Sequence, residues 1–261
     1  MSIIRLFEKW LPQIQRSNLE IENLYFMLGL PILILLLAVV LQYSDIDVWW
    51  IAHFFDAERG IWLYKTHWLF NDVIHVGGQI FDKLIIALCL IGYVVIHLNK
   101  QLRFYRKLML FFIVATLVGP IVVGIGKNLT HLYTPWDVHL FSGFYPYIRL
   151  FDPVAQDAPI GHAFPAGHAS GGYCFLSLYF VLLHLKSPYR GLGLILGLAL
   201  GIIFGLAQQI RGAHFPSHDL VTLVICWYGS LIMYLLFYPH QNALLRLAYN
   251  DSEIQSGAIE R

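Results

Sequence analysis

The chain has 261 residues, of which 58% are hydrophobic and only 13% charged, with a formal net charge of +1. A water-facing domain of this length carries about 25% charged residues. The composition therefore excludes an ordinary soluble protein, points to one that spans a membrane, and gives no reason to expect a nucleic-acid partner. Aromatic residues make up 15%, which suits belts at two membrane interfaces.

In chain order, the first twenty residues, MSIIRLFEKWLPQIQRSNLE, are amphipathic, with charges breaking every apolar run and no cleavable signal peptide in evidence. Six spans are expected, at about 24–41, 84–98, 108–124, 171–185, 192–207 and 220–238. Each approaches the ~20 residues that a helix needs to cross the hydrocarbon core, where all backbone polar groups must be paired internally. Residues 44–79 are too polar to span, and DVWWIAHFF and WLYKTHWLF read as interfacial helices or as an aromatic belt. Within the fifth span Gly197, Gly201 and Gly205 recur every four residues, the spacing of close helix packing in a bilayer. Cys89, Cys174 and Cys226 sit in apolar runs without metal-ligand spacing and read as small buried hydrophobes.

Lys and Arg gather at the N-terminus (Arg5, Lys9, Arg16), in the loop holding Lys100, Arg103, Arg106 and Lys107, at Lys186 and Arg190, and in the tail (Arg246, Arg261). The opposite loops are richer in acids. Both termini are therefore expected in the cytoplasm. The expected fold class is all-α: an integral membrane six-helix bundle with short interfacial helices. A single domain is expected over 1–261, with 1–23 a cytoplasmic amphipathic segment and 239–261 a cytoplasmic tail.

Three polar islands interrupt the apolar chain, and the expected topology puts all three on the non-cytoplasmic face. They are GKNLTHLYTPWDVHL, GHAFPAGHASGG and QQIRGAHFPSHDL. Ionisable groups at membrane depth are costly, so Lys127, His168, Arg211, His214 and Asp219 are functional candidates. Their types suit phosphate chemistry. Arg offers a planar fork and Lys a point charge. Gly167 would let the backbone approach a ligand closely. Two histidines can supply a nucleophile and a proton donor near neutral pH, and an Asp behind one of them can hold its tautomer.

These islands resemble the type 2 phosphatidic acid phosphatase superfamily, in its membrane lipid phosphatase branch. Its first motif, Lys-six residues-Arg-Pro, is met by Lys127 and by Thr134-Pro135. Its second, Pro-Ser-Gly-His, is met by Pro165-Ala166-Gly167-His168. Its third, Ser-Arg-five residues-His-three residues-Asp, is met locally around His214. Thr134 replaces the first arginine, and Gln208 stands where the third motif has its arginine. Arg211 lies one turn later. His218 holds the relay position, with Asp219 next.

The resemblance implies that His214 attacks phosphorus, Asp219 orients it, and His168 protonates the leaving group. Lys127, Arg211 and the Gly167 amide would bind the phosphate oxygens, and Thr134 would add a hydroxyl. His218 as nucleophile is the alternative, with Thr222 then in the relay place. Asp137 reads as a structural residue and His162 as peripheral. No metal and no cofactor is implied. The expected activity is removal of phosphate from a lipid phosphate or pyrophosphate, on the periplasmic side of a bacterial inner membrane. Transfer of the phosphoryl group to another lipid, or a non-catalytic or transport relative, are the alternatives. The lipid head group and the oligomeric state carry no readable code.

Overall fold

The computed structural model describes residues 21–239, and those residues are largely α-helical. Helix α1 is Ile21–Tyr43 and α2 the short Ile46–Ala52. A two-stranded hairpin follows, with β1 (Phe55–Asp56) antiparallel to β2 (Ile61–Trp62) and Phe55 opposite Trp62. A π-helical segment, Leu69–Val76, runs directly into α3, Gly77–Leu98. Then come α4 (Arg106–Lys127), α5 (Gly167–Tyr173), α6 (Ser177–His184), α7 (Arg190–Ile210) and α8 (Pro216–Phe237). The expected termini, 1–20 and 240–261, lie outside the described residues.

Among the described residues, five stretches are long and apolar enough to cross a membrane: Phe26–Tyr43, Leu69–Leu98, Lys100–Lys127, Arg190–Ile210 and Pro216–Phe237. Two expectations need correction. The second span begins at Leu69 rather than at residue 84, so WLYKTHWLF is half hairpin and turn, half helix. Its polar residues His75, Gln79 and Asp82 recur at helical spacing, and all three line one cavity. The fourth span is not one helix. It is α5 and α6 joined by a 3-10 turn, Cys174–Leu176, and it starts at Gly167, ahead of the expected residue 171. The six-helix expectation thus becomes eight α-helical segments among the described residues.

Packing follows small and aromatic residues. α8 lies against α1 and α4, and α5 against α7. The glycine stripe of α7 makes the last contact possible: Gly201 lies on Tyr173, and Gly197 on the backbone of Phe175 and Leu176. Phe111, Phe180, Leu231 and Tyr234 form one buried cluster between the helices. A second, of Ile51, Tyr133, Val138, Phe141 and Phe215, holds α2 and the long loops over the start of α8.

That start is capped from afar. Pro216 opens the helix, where its missing N–H costs nothing. The next amide, of Ser217, donates to Asp47 Oδ1 at 3.0 Å, and the Ser217 hydroxyl donates to the other Asp47 oxygen. Gln42 Nε2 donates to Ser217 Oγ at 3.1 Å, while Gln42 Oε1 accepts from the Leu150 amide at 3.0 Å. The helix dipole favours a carboxylate here. Burial is nevertheless the larger effect, and it pushes the fully buried Asp47 carboxyl up to about 6 from 3.8.

A folded-state pKa above the unfolded value means that stability is present below about 4 and is lost as pH rises through about 6. Thermal unfolding in detergent should show this when wild type is compared with Asp47→Asn. The difference should move in favour of wild type by up to about 3 kcal/mol as pH falls from about 6 to about 4. A difference that does not change with pH would reject the assignment.

Candidate active site

The islands meet at one cavity of about 410 Å³. Lys127 ends α4, Gly167 and His168 begin α5, Gln208 lies in the last turn of α7, and His214 sits in the turn before α8. All five line the mouth of the cavity, with His75 from the π-helical segment beside them. Deeper in, the wall is made by Ile85, Ile86, Phe112, Ile113, Leu117 and Pro120 of α3 and α4. The site is therefore polar at one end and apolar along its length.

Lys127 is held over Gly167. A Cβ on Gly167 would come within 3.1 Å of Lys127 Nζ, so a larger residue would push the ammonium aside by a few tenths of an ångström. The ammonium has no hydrogen-bond or ion-pair partner among the described residues, which leaves three donors for a ligand. The His168 ring is stacked on Phe204, centroids 4.8 Å apart. His168 Nε2 lies 3.2 Å from the Ile74 carbonyl. A carbonyl only accepts, so Nε2 carries the hydrogen and Nδ1 is left for a substrate.

His214 is 6% exposed, its Nδ1 has no partner among the described residues, and burial holds its pKa well below the ordinary histidine value, helped by the Lys127 charge. The imidazole is therefore neutral at physiological pH, the form a nucleophile needs. His218 faces away from the cavity: its Nδ1 meets the Ala163 carbonyl at 3.2 Å.

Other expected residues stand further off. Asp219 accepts a hydrogen bond from Gln209, and its Oδ1 is buried without a partner. Arg211 points its guanidinium at the Lys65 carbonyl (3.0 Å), Gln208 Oε1 (3.0 Å) and Asn71 Oδ1 (2.7 Å), so its charge stands behind the cavity wall. Thr134 donates to the Asp137 carboxylate, which commits its hydroxyl. His162 is exposed in the loop before Ala163.

Sequence reasoning gave His75 no role, yet its ring lies edge-on to His168 with centroids 4.7 Å apart. Arg211 only donates, so Gln208 Oε1 accepts and Gln208 Nε2 donates to His75 Nδ1, 3.0 Å away. This chain fixes the His75 tautomer. The signal that could have found it is the i, i+4, i+7 recurrence of His75, Gln79 and Asp82 on one helix face. No group of three or more His, Cys, Asp or Glu able to hold a metal is present among the described residues.

Residues 108–241, just over half of the chain, match the sequence profile of the PAP2 superfamily. No curated protein and no solved structure matches the chain.

A methyl group at Gly167 should displace the Lys127 ammonium. Gly167→Ala is expected to weaken inorganic phosphate binding about tenfold, a loss of ~1.4 kcal/mol, by calorimetry on the detergent-purified protein. Unchanged affinity would mean that phosphate is held elsewhere.

Proposed function

Because the chain belongs to the PAP2 superfamily, we propose that it is a lipid phosphatase that works through a phosphohistidine on His214. The observation that carries this reading is the joint lining of one cavity mouth by Lys127, His168 and His214. They come from three separate elements and stand at the head of an apolar channel. A phosphate can sit at the polar end while its hydrocarbon lies between α3 and α4.

In the proposed reaction a ring nitrogen of His214 attacks phosphorus, and the ester P–O bond breaks. His168 gives its Nδ1 proton to the leaving oxygen, which departs as the lipid alcohol. Water then attacks the phosphohistidine, His168 takes its proton, and inorganic phosphate leaves. His168 Nδ1, bare in the free protein, takes up the proton it donates as the negatively charged phosphate arrives and stabilises the imidazolium. Lys127 and the backbone amide at Gly167 stabilise the equatorial oxygens. Phosphoryl transfer asks mainly for positioning and charge, and this set supplies both. Asp219 would orient His214 after a shift that brings the two groups into hydrogen-bond contact. The two groups have complementary open valences, at His214 Nδ1 and Asp219 Oδ1. Arg211 acts at one remove, through Gln208 and His75. The site faces the periplasm of an inner membrane, opposite the basic loop at Lys100–Tyr105.

The test is phosphate release by the detergent-purified protein, with EDTA present. The substrates are phosphatidic acid, phosphatidylglycerol phosphate, undecaprenyl pyrophosphate and lipid A. His214→Ala and His168→Ala should each lower kcat/KM about 10³-fold or more. Release that survives His214→Ala would refute the nucleophile. Labelled phosphate that appears in a second lipid instead of in water would make the protein a phosphotransferase with the same intermediate.

The depressed His214 pKa also sets the acid limb of the profile. The nucleophile stays neutral as pH falls through the ordinary histidine value of about 6.5, so kcat/KM should hold until well below it. An acid limb at or above that value would contradict the burial of His214.

A further inference from the structure

Asp82 lies on the same face of the second span as His75 and Gln79, and it lines the cavity below its mouth. Its Oδ1 is buried with no partner, and its other oxygen lies against Gly171, where any side chain would collide with it. The polar neighbours are all committed elsewhere. Ser170 Oγ donates to the Gly167 carbonyl at 2.6 Å, Cys174 Sγ to the Gly171 carbonyl at 2.8 Å, and Thr116 Oγ1 pairs with Ser177 Oγ at 2.8 Å. A carboxyl group at membrane depth with no donor is costly, and such groups face a ligand path far more often than lipid.

Position says what the ligand must offer. Gly171 follows His168 by three residues in α5. At 1.5 Å per residue the Asp82 carboxyl therefore sits ~5 Å below the level of the proton donor. That is the reach of two or three carbon atoms beyond a phosphoester oxygen. We propose that Asp82 selects the lipid. Its carboxyl accepts a hydrogen bond from a hydroxyl or amide N–H carried two or three carbons from the phosphate. The substrates are then lipid phosphates with such a donor, not ester-only or polyprenyl phosphates. This rests on the phosphatase reading for the placement of phosphorus between Lys127, His168 and His214.

A site that hydrogen-bonds a substrate group rejects the analogue that lacks it, because the buried polar atom is then left unpaired. The test compares three lipids in mixed micelles with the full chain. Ceramide 1-phosphate carries both an amide and a hydroxyl, 1-oleoyl lysophosphatidic acid a hydroxyl alone, and dioleoyl phosphatidic acid neither. Wild type should favour ceramide 1-phosphate over dioleoyl phosphatidic acid by about tenfold or more in kcat/KM. Asp82→Leu should collapse that ratio toward one, and Asp82→Asn, which keeps a carbonyl acceptor, should retain part of it. Lysophosphatidic acid that tracks ceramide 1-phosphate assigns the hydroxyl as donor; one that tracks phosphatidic acid assigns the amide.

Removal of an unpaired carboxyl should also raise the Tm of Asp82→Leu. A wild type without preference, or variants that lose all three lipids in proportion with a lowered Tm, would overturn the proposal. If no lipid is hydrolysed, non-hydrolysable phosphonate analogues of the two extremes decide by competition binding. A preference lost in Asp82→Leu keeps the Asp82 assignment while the hydrolase reading falls. No preference removes the Asp82 assignment.

Discussion

The start of α8 is where this molecule is pinned. Asp47 and Gln42, which arrive from α2 and α1, close on Ser217 and leave the preceding turn little freedom. That turn carries His214 into the cavity and Phe215 into the cluster with Ile51 and Val138. A loop residue left to solvent would not hold a ring in one orientation, whereas one clamped between a capped helix and a packed aromatic layer does. The cap spans 170 residues of sequence between Asp47 and Ser217. The site thus depends on α1 and α2, although neither contributes to its wall.

A second constraint acts from the bilayer side. Polar atoms at membrane depth must find partners within the protein. Most do: Thr116 with Ser177, Thr222 with the Ala166 carbonyl, Trp50 with Gln209. The exceptions that concern function are His214 Nδ1, Asp219 Oδ1 and Asp82 Oδ1. Two of these three residues line the cavity, and the third follows His214 by five residues. Trp62 Nε1 and Tyr238 Oη are also unpartnered, away from the cavity.

That Lys127, His168 and His214 would gather at one place was legible in the sequence, because each falls at the end of an apolar run, where a polar residue is conspicuous. Five of the expected spans were legible for the same reason, with shifted ends. His75 and Asp82 were not. Residues 44–79 read as too polar to span and the second span was expected only from 84, past Asp82, whereas the helix that carries both residues lines the cavity. The break in the fourth span was hidden as well, since an apolar run over 171–185 says nothing about a 3-10 turn. Arg211 shows the limit of motif logic. A shifted arginine keeps its charge, but its fork was taken by Lys65, Asn71 and Gln208, partners that sequence spacing could not reveal.

The cavity wall is drawn from two sources. Lys127, Gly167, His168 and His214 fall within the stretch that matches the PAP2 profile, while His75, Gln79, Asp82 and Cys89 fall before it. The matched stretch therefore supplies the polar end and the α4 side of the wall, and α3 supplies the facing side, joined to it by packing and by the His75–Gln208 hydrogen bond. Substitutions along α3 can therefore reshape one side of the cavity while Lys127, Gly167, His168 and His214 stay as they are. Two chains with the same matched segment could thus serve different molecules, and inheritance of the reaction would carry no promise of a shared substrate.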